Sequence, residues 1–312
     1  MENKIRIIWR YLVGKNKMGG AGGTNDARYC YSVWLRHLVL AHQKNLWHNP
    51  KCIVELGPGG SLGTGLSALL SGVNKYYALD AIKFSNIEQN LIIFDKLVNL
   101  FEQKEDIPDN CEFPDVHPVL DNYSFPNYIL TDKLLEISLN PLRINSIRHQ
   151  ISNLNNQSEN ENIFYIVPWN NSDLIERGSI DMIFSQAVLE HINDLDIAYR
   201  NMFDWLTPDG FISHQIDFKS HRPTIHWNDQ WIHSEVYMKL IESCQKYSIN
   251  RWPHSYHIDL IKKTGFNLIT DNKTITELHS VSRMDLSNKF KNIVTDEDLR
   301  ISDTFVQCVK PK

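Results

Sequence analysis

The residues best suited to chemistry in this chain form one run, Ile53-Val54-Glu55-Leu56-Gly57-Pro58-Gly59-Gly60-Ser61-Leu62-Gly63. A short apolar segment ends in an acidic residue and a glycine-rich turn that opens a helix. Such a turn lets backbone N–H groups approach a ligand closely, and Gly57 and Gly59 place no Cβ in its way. Roughly 20 residues later a second apolar run, YYALD, ends in Asp80, placed to accept hydrogen bonds from ribose hydroxyls. Two departures bear on the ligand. The dinucleotide fingerprint G-x-G-x-x-G needs glycine where Leu62 stands, with Gly63 one residue late. Glu55 would repel a pyrophosphate and suits a ligand carrying an ammonium and a sulfonium. Both points favour S-adenosylmethionine over a nicotinamide dinucleotide.

An acceptor for such a cofactor would meet the carboxyl ends of the fourth and fifth strands, where open α/β sheets hold their ligands. The sequence puts Ser185, Gln186, Glu190 and His191 after one strand, and His214, Gln215 and Asp217 on the next. Strand alternation sends one of His214 and Gln215 toward the site and the other toward a covering helix. His214 is the expected general base, with Asp217 as an orienting carboxylate or rival base and His191 as a further candidate. Glu190-His191 ends an E-x-x-E-H pattern whose first glutamate is replaced by Ala187, so no metal is expected. The segment HQIDFKSHRPTIHWNDQWIH adds His221, Arg222, Trp227 and Trp231, aromatic faces and polar groups that suit a sugar or other polyhydroxylated acceptor.

The elements that must position these residues alternate between strand and helix. Strands are expected at Cys52–Leu56, Tyr76–Leu79, Ile163–Val167, Ile180–Phe184 and Gly210–Ile216. Helices are expected at Gly63–Leu70, Asn86–Gln103 and Asp194–Leu206, the last stopped by Thr207-Pro208-Asp209-Gly210. This predicts a mostly parallel Rossmann-like α/β sheet with helices on both faces. Ahead of it, Ala27–Gln43 reads as a helix capped by Asn25 or Asp26 and packed on the core, preceded by a connector with Gly19, Gly20, Gly22 and Gly23. Residues 1–312 are read as one domain, with 1–50 as an N-terminal helical extension. Residues 104–162 and 218–253 are too long for simple connections and are expected to be insertions near the acceptor site, lid-like and partly helical. A polar loop at Ser152–Asn162, a helix at His254–Thr264 and strands at Phe266–Thr270 and Thr304–Val309 complete the pattern.

The 312 residues carry a net charge of −5 and no basic stripe, so a nucleic-acid partner is not expected and a small or glycan acceptor is easier to accommodate. The five cysteines are scattered and include no Cys-x-x-Cys pair. With no apolar run of membrane-spanning length, a cytoplasmic protein is expected.

The turn ELGPGGSLG, the segment YYALDA, and IDMIFSQAVLEHINDL followed by LTPDGFISHQIDF resemble the class I S-adenosylmethionine-dependent methyltransferases over about Cys52 to Phe218. RYCYSVWLRHL and HQIDF are similar to the methyltransferases encoded among bacterial surface-polysaccharide genes. The resemblance implies that Glu55, Gly57 and Gly59 hold the methionine part of the cofactor and Asp80 its ribose. Pro168, Trp169 and Asn170 would flank the adenine, Trp169 by stacking, with Ser185 also on the cofactor side. Ser61 departs from the family, which usually has glycine there. The implied activity is methyl transfer to an oxygen of a small or carbohydrate acceptor. The alternative, a non-catalytic cofactor-binding or partner-binding domain, would be expected to have lost the Glu55, Gly57, Gly59 and Asp80 set.

Overall fold

The computed structural model describes residues 23–156, 160–169, 172–221, 224–242, 249–276 and 279–312. Gly19, Gly20, Gly22, Asn170, Arg222 and Cys244 lie outside the described residues. In chain order the elements are α1 (Ala27–Gln43), β1 (Cys52–Leu56), α2 (Gly63–Leu70), β2 (Lys75–Leu79) and α3 (Ile87–Glu102). There follow α4 (Asp132–Ser138), α5 (Pro141–Ser152), β3 (Ile163–Ile166), β4 (Ile180–Gln186) and α6 (Leu195–Trp205). The chain closes with β5 (Leu206–Asp217), α7 (Glu235–Glu242), α8 (His254–Thr264), β6 (Asn267–Ile275) and β7 (Ile301–Val309).

The seven strands form one sheet in the order β3-β2-β1-β4-β5-β7-β6. The first five are parallel, and β7 enters antiparallel between β5 and β6. This is the expected mostly parallel, Rossmann-like α/β sheet, with β7 as its antiparallel strand. Alternation along the strands sorts side chains into two cores. Ile53, Met182, Phe184, Phe211 and Phe305 pack with α1, α2 and α3 on one face. Val54, Leu56, Ile183, Ile212, Ile216 and Val306 pack with α6 and α8 on the other.

Local chemistry sets the helix boundaries. Asp26 caps α1 by accepting from Arg28 N at 2.8 Å, Asn86 caps α3 through Gln89 N at 2.9 Å, and Asp194 caps α6 through Ile197 N at 3.1 Å. The expected stop before the fifth strand differs in detail. Leu206 already pairs with Ile180, and Thr207 Oγ1 donates to Ile180 O at 3.2 Å, so Pro208-Asp209-Gly210 becomes an irregularity within β5. Strand β6 also runs on to Ile275. Its polar residues, with Asn272 exposed and Asp271 and Lys273 half-buried, suit a sheet edge and blur the apolar alternation.

The two long stretches have different fates. Residues 132–152 form α4 and α5, which pack beside α2 and α3, where Arg143 Nη2 donates to Leu69 O and Val73 O. Residues 106–118 instead fold over α1 around Arg36. This fully buried guanidinium donates to Pro108 O, Val116 O, Pro118 O and Asn110 Oδ1 at 2.7–3.1 Å. The second stretch closes on the connection between β6 and β7. Trp231, Val281, Leu286, Phe290 and Val294 make a third core there, and Asn228 hydrogen-bonds to Val281 N and Ser280 Oγ.

Arg36→Met should leave several buried carbonyls without donors and cost about 3–5 kcal/mol of unfolding free energy. Urea denaturation measures the loss, and hydrogen exchange should locate its largest effect at residues 106–118.

Candidate functional site

The glycine turn leaves β1 with Gly57 at φ +64° and Gly59 at φ +75°, both in the left-handed region that favours glycine. A Cβ on Gly57 would come within 2.6 Å of Val188 Cγ2 in the segment after β4, so that glycine permits close packing between two loops of the site. Its N–H donates to Leu79 O at 2.8 Å, tying the turn to the end of β2.

Four amides of the turn and the start of α2 are taken by side chains, where the sequence led one to expect them to face a ligand. Ser61 N donates to Thr24 Oγ1 at 3.2 Å, Leu62 N to Asn90 Oδ1 at 2.9 Å, Gly63 N to Ser61 Oγ at 3.1 Å, and Gly65 N to Glu55 Oε2 at 3.2 Å. Glu55 is 4% exposed and also accepts a hydrogen bond from the Tyr76 hydroxyl. Burial pushes its carboxyl up to about 8, against the pull of those two donors. The helix terminus that would cradle a pyrophosphate is therefore occupied by the protein's own side chains.

Asp80 stands at the end of β2, 7% exposed. Its Oδ1 accepts from Ala81 N at 2.8 Å, while Oδ2 is buried without a hydrogen-bond partner among the described residues. Burial pushes this carboxyl up, partly offset by the amides of Ile82, Ala81 and Gly59, so the acid lies beside the glycine turn. Trp169 N donates to Asp80 O at 3.1 Å. The Trp169 indole is half-buried and leans against Trp205 at 6.2 Å, with a tilt of 58°. Asp80, the turn and Trp169 thus share one end of the sheet.

The expected acceptor residues separate onto two sides. His214 is fully buried in the layer beneath α6 and α8, with Nδ1 2.8 Å from Ser185 Oγ, and Ser185 is equally buried. Burial pushes His214 down to about 3, helped by His37 and His257. This corrects the expected orientation: Gln215, not His214, takes the side of the sheet that carries the polar cluster.

That cluster joins the ends of β4, β5 and β7. Asp217 Oδ2 lies 3.3 Å from His221 Nε2, and Oδ1 lies 3.5 Å from Lys219 Nζ. The same Lys219 Nζ is 3.6 Å from Asp303 Oδ2, and Gln215 Nε2 donates to Asp303 Oδ1 at 2.9 Å. Burial opposes ionisation of Asp217, but His221 and Lys219 outweigh it and hold the carboxyl below its ordinary range. The His191 ring stands edge-on to His221 at 5.2 Å. Glu190 is 4% exposed. Ala187 and His221 have φ of +54° and +50°, a costly conformation for residues with a Cβ.

Several members of the cluster were not visible in the sequence. His117 comes from the first long stretch; its carbonyl accepts from Gln186 Nε2 at 2.9 Å and its Nδ1 lies 3.9 Å from Asp303 Oδ1. Asp303 and Lys219 carry no motif, and Thr24 and Asn90 cap the turn from elements read only as helix or connector. Trp227 and Trp231 meet at 6.1 Å with rings crossed at 72°, inside the small third core. Among the described residues no group of three or more His, Cys, Asp or Glu is arranged to hold a metal ion, and no helix is long and apolar enough to cross a membrane. A groove of about 750 Å³ lined by Leu69, Asn74, Lys133, Arg143 and Asn162 lies at the amino ends of β2 and β3, the far end of the sheet from the turn.

Comparison with known proteins gives one family match, described as a methyltransferase domain, over residues 135–213. No curated protein matches the chain. A candidate sarcosine dimethylglycine methyltransferase from Galdieria sulphuraria is similar in structure at 11% identity and a TM-score of 0.46, over 89% of this chain and 85% of the other. Phosphoethanolamine N-methyltransferase 2 of Haemonchus contortus, in complex with S-adenosyl-L-methionine, is similar at 14% identity and a TM-score of 0.43, over 89% of this chain and 53% of that one. An S-adenosylmethionine-dependent methyltransferase from Mesorhizobium loti matches at 11% identity and a TM-score of 0.42, over 89% and 97% of the two chains.

Burial holds His37, His214 and His257 neutral, pushed down to about 4, 3 and 3. Unfolding returns each to about 6.5. The stability they carry is therefore complete above that pH and is lost as the pH falls toward 3–4, at up to about 1.4 kcal/mol per pH unit for each histidine. Glu55, raised to about 8, has the opposite sign, because its burial costs stability increasingly as the pH rises above about 4.3. In a pH titration followed by NMR, the ring signals of these three histidines should stay constant from pH 8 to about 5, where an exposed histidine passes its midpoint.

Proposed function

We propose that this chain transfers the methyl group of S-adenosylmethionine to an oxygen of a small or carbohydrate acceptor. The carrying observation is the contrast at the carboxyl end of the sheet. Four amides of the turn and the start of α2 are taken by Thr24, Asn90, Ser61 and Glu55, whereas one buried oxygen of Asp80, beside Gly59, has no hydrogen-bond partner among the described residues. A ligand with a phosphate bridge finds no free helix terminus. A nucleoside whose ribose hydroxyl donates to Asp80 supplies what that oxygen lacks. Glu55 then acts by fixing the turn through Gly65 and Tyr76, and Trp169 offers a face near the end of β3.

When bound, the cofactor supplies a methyl group made electrophilic by the sulfonium. The protein's task is to align an acceptor oxygen and remove its proton. His221, held by Asp217, is the residue we assign to the proton. One ring nitrogen lies toward the carboxylate, the other, which has no hydrogen-bond partner among the described residues, would take the acceptor's proton, and Asp217 would stabilise the imidazolium that forms. His214 cannot serve directly, because its ring is sealed under α6 and α8.

Isothermal titration with S-adenosylmethionine should show micromolar binding that weakens at least about tenfold in Asp80→Ala, the loss expected when a buried hydrogen bond to a charged group is removed. No binding by well-folded wild type would overturn the reading. Once an acceptor is found, His221→Gln should lower kcat by about 10²–10⁴ while leaving cofactor affinity unchanged. A residual rate independent of His221 would remove it from the mechanism.

A further inference from the structure

Three side-chain acceptor atoms near the proposed acceptor site lack donors. Both carboxyl oxygens of Glu190 are buried without a hydrogen-bond partner among the described residues, and so is Oε1 of Gln215. Each residue is only 4% exposed. Burial, and after it the neighbouring Asp217 carboxylate, hold the Glu190 carboxyl well above its ordinary range, against the weaker pull of the Glu190 and Asp217 amides and of Lys219, so the acid awaits a partner that makes its ionisation favourable. Gln215 has spent its amide on Asp303, which fixes Oε1 as the unused end. A buried acceptor left unpaired costs about 1–3 kcal/mol, more when charged, so this arrangement suits a ligand that brings donors.

The charges around these atoms narrow the ligand further. Glu190, Asp217 and Asp303 contribute three carboxyl groups, and Lys219 lies between the last two. Among the described residues the remaining titratable neighbours are imidazoles: His221 against Asp217, His191 against His221, and His117 near Asp303. Glu190 has no cationic side chain in hydrogen-bond contact among the described residues. An anionic ligand group would meet the buried Glu190 carboxyl backed by the Asp217 carboxylate, against the single ammonium of Lys219 among the described residues. A hydroxyl would bring one donor but also lone pairs that need donors of their own. An ammonium brings three donors and no acceptor, together with the missing positive charge.

We propose that the acceptor carries a cationic amino group next to its methylated oxygen, as in an amino sugar or amino alcohol, and that Glu190, with Gln215, receives that ammonium. The proposal rests on the methyl-transfer reading above, and it makes Glu190 a specificity determinant rather than the proton acceptor. Ionisation of Glu190 is then coupled to acceptor binding, since the incoming charge replaces the solvation that burial removed.

The test uses the whole protein and three ring compounds of matched size: trans-2-aminocyclohexanol, trans-1,2-cyclohexanediol and trans-2-hydroxycyclohexanecarboxylate. Thermal shifts and titration calorimetry are recorded with and without S-adenosylhomocysteine. The amino alcohol should bind at least about tenfold more tightly than the diol, and the carboxylate should not bind. Glu190→Gln, which keeps shape and removes charge, should abolish the difference, and Gln215→Leu should reduce it. An equal response to amine and diol, a preference for the carboxylate, no response to any of the three, or an amine preference that survives Glu190→Gln would each overturn the proposal. A shift with S-adenosylhomocysteine alone reports on the cofactor reading separately, so the two can fail independently.

Discussion

A carboxyl group buried under a glycine turn is the constraint on which the rest of this site depends. Glu55 stands one residue before the end of β1, inside the protein, where an ionised carboxylate is costly. The Tyr76 hydroxyl and the Gly65 amide reduce that cost by binding it. Those bonds fix α2 against β2, and a Cβ on Gly65 would stand only 2.0 Å from the Tyr76 ring. Thr24, from the segment leading into α1, and Asn90, from α3, take the neighbouring amides. The turn is therefore shaped by four separate parts of the chain before any ligand arrives, a form of preorganisation that lowers the cost of binding.

The same logic, with the opposite outcome, governs the ends of β4, β5 and β7. There the polar groups satisfy one another only in part. His37 on α1 lies 2.8 Å from Ser213 Oγ and 3.3 Å from Gln186 Oε1, and Gln186 passes the connection on to the His117 carbonyl. Gln307 Nε2 donates to the same Ser213 hydroxyl. This network is buried and connected, so it holds the strand ends rigidly. At its rim the satisfaction stops, at Gln215 and Glu190, and left-handed backbone at Ala187 and His221 appears in the same place. Unpaired acceptors beside strained backbone are tolerated where the surrounding structure over-determines them, and rigid strand ends of this kind do so.

What could be read from the sequence follows from how local each signal is. The Rossmann-like order was legible because β1, β2 and β4 are buried on both faces and appear as short apolar runs, and because caps such as Asp26, Asn86 and Asp194 sit next to the helices they start. The glycine turn was legible for the same reason. Its detailed roles were not: Glu55 pointed to a ligand in one dimension, whereas in three it serves α2, through residues 10 and 21 positions away. His214 shows the limit of alternation, which says that adjacent strand residues face opposite ways without saying which layer each enters. Only the packing of α6 and α8 decides that. His117 and Asp303 lie 186 positions apart, and the carboxylate marks itself by no motif at all.

The segments that border the polar cluster are the least constrained by the sheet. Residues 106–118 are held by Arg36, residues 224–234 by their own tryptophans, and residues 279–290 by the third core that they build with those tryptophans. None supplies a strand. Each can therefore change in length and composition without disturbing the order of β1 to β7, while Gln215, Asp217 and Asp303 stay fixed on the strands themselves. In this arrangement the shape of the acceptor space would vary with the three segments, whereas the charge it offers is set by residues at the strand ends and in the short turn after β4 that carries Glu190. Selection for charge and selection for shape would then act on different parts of the chain.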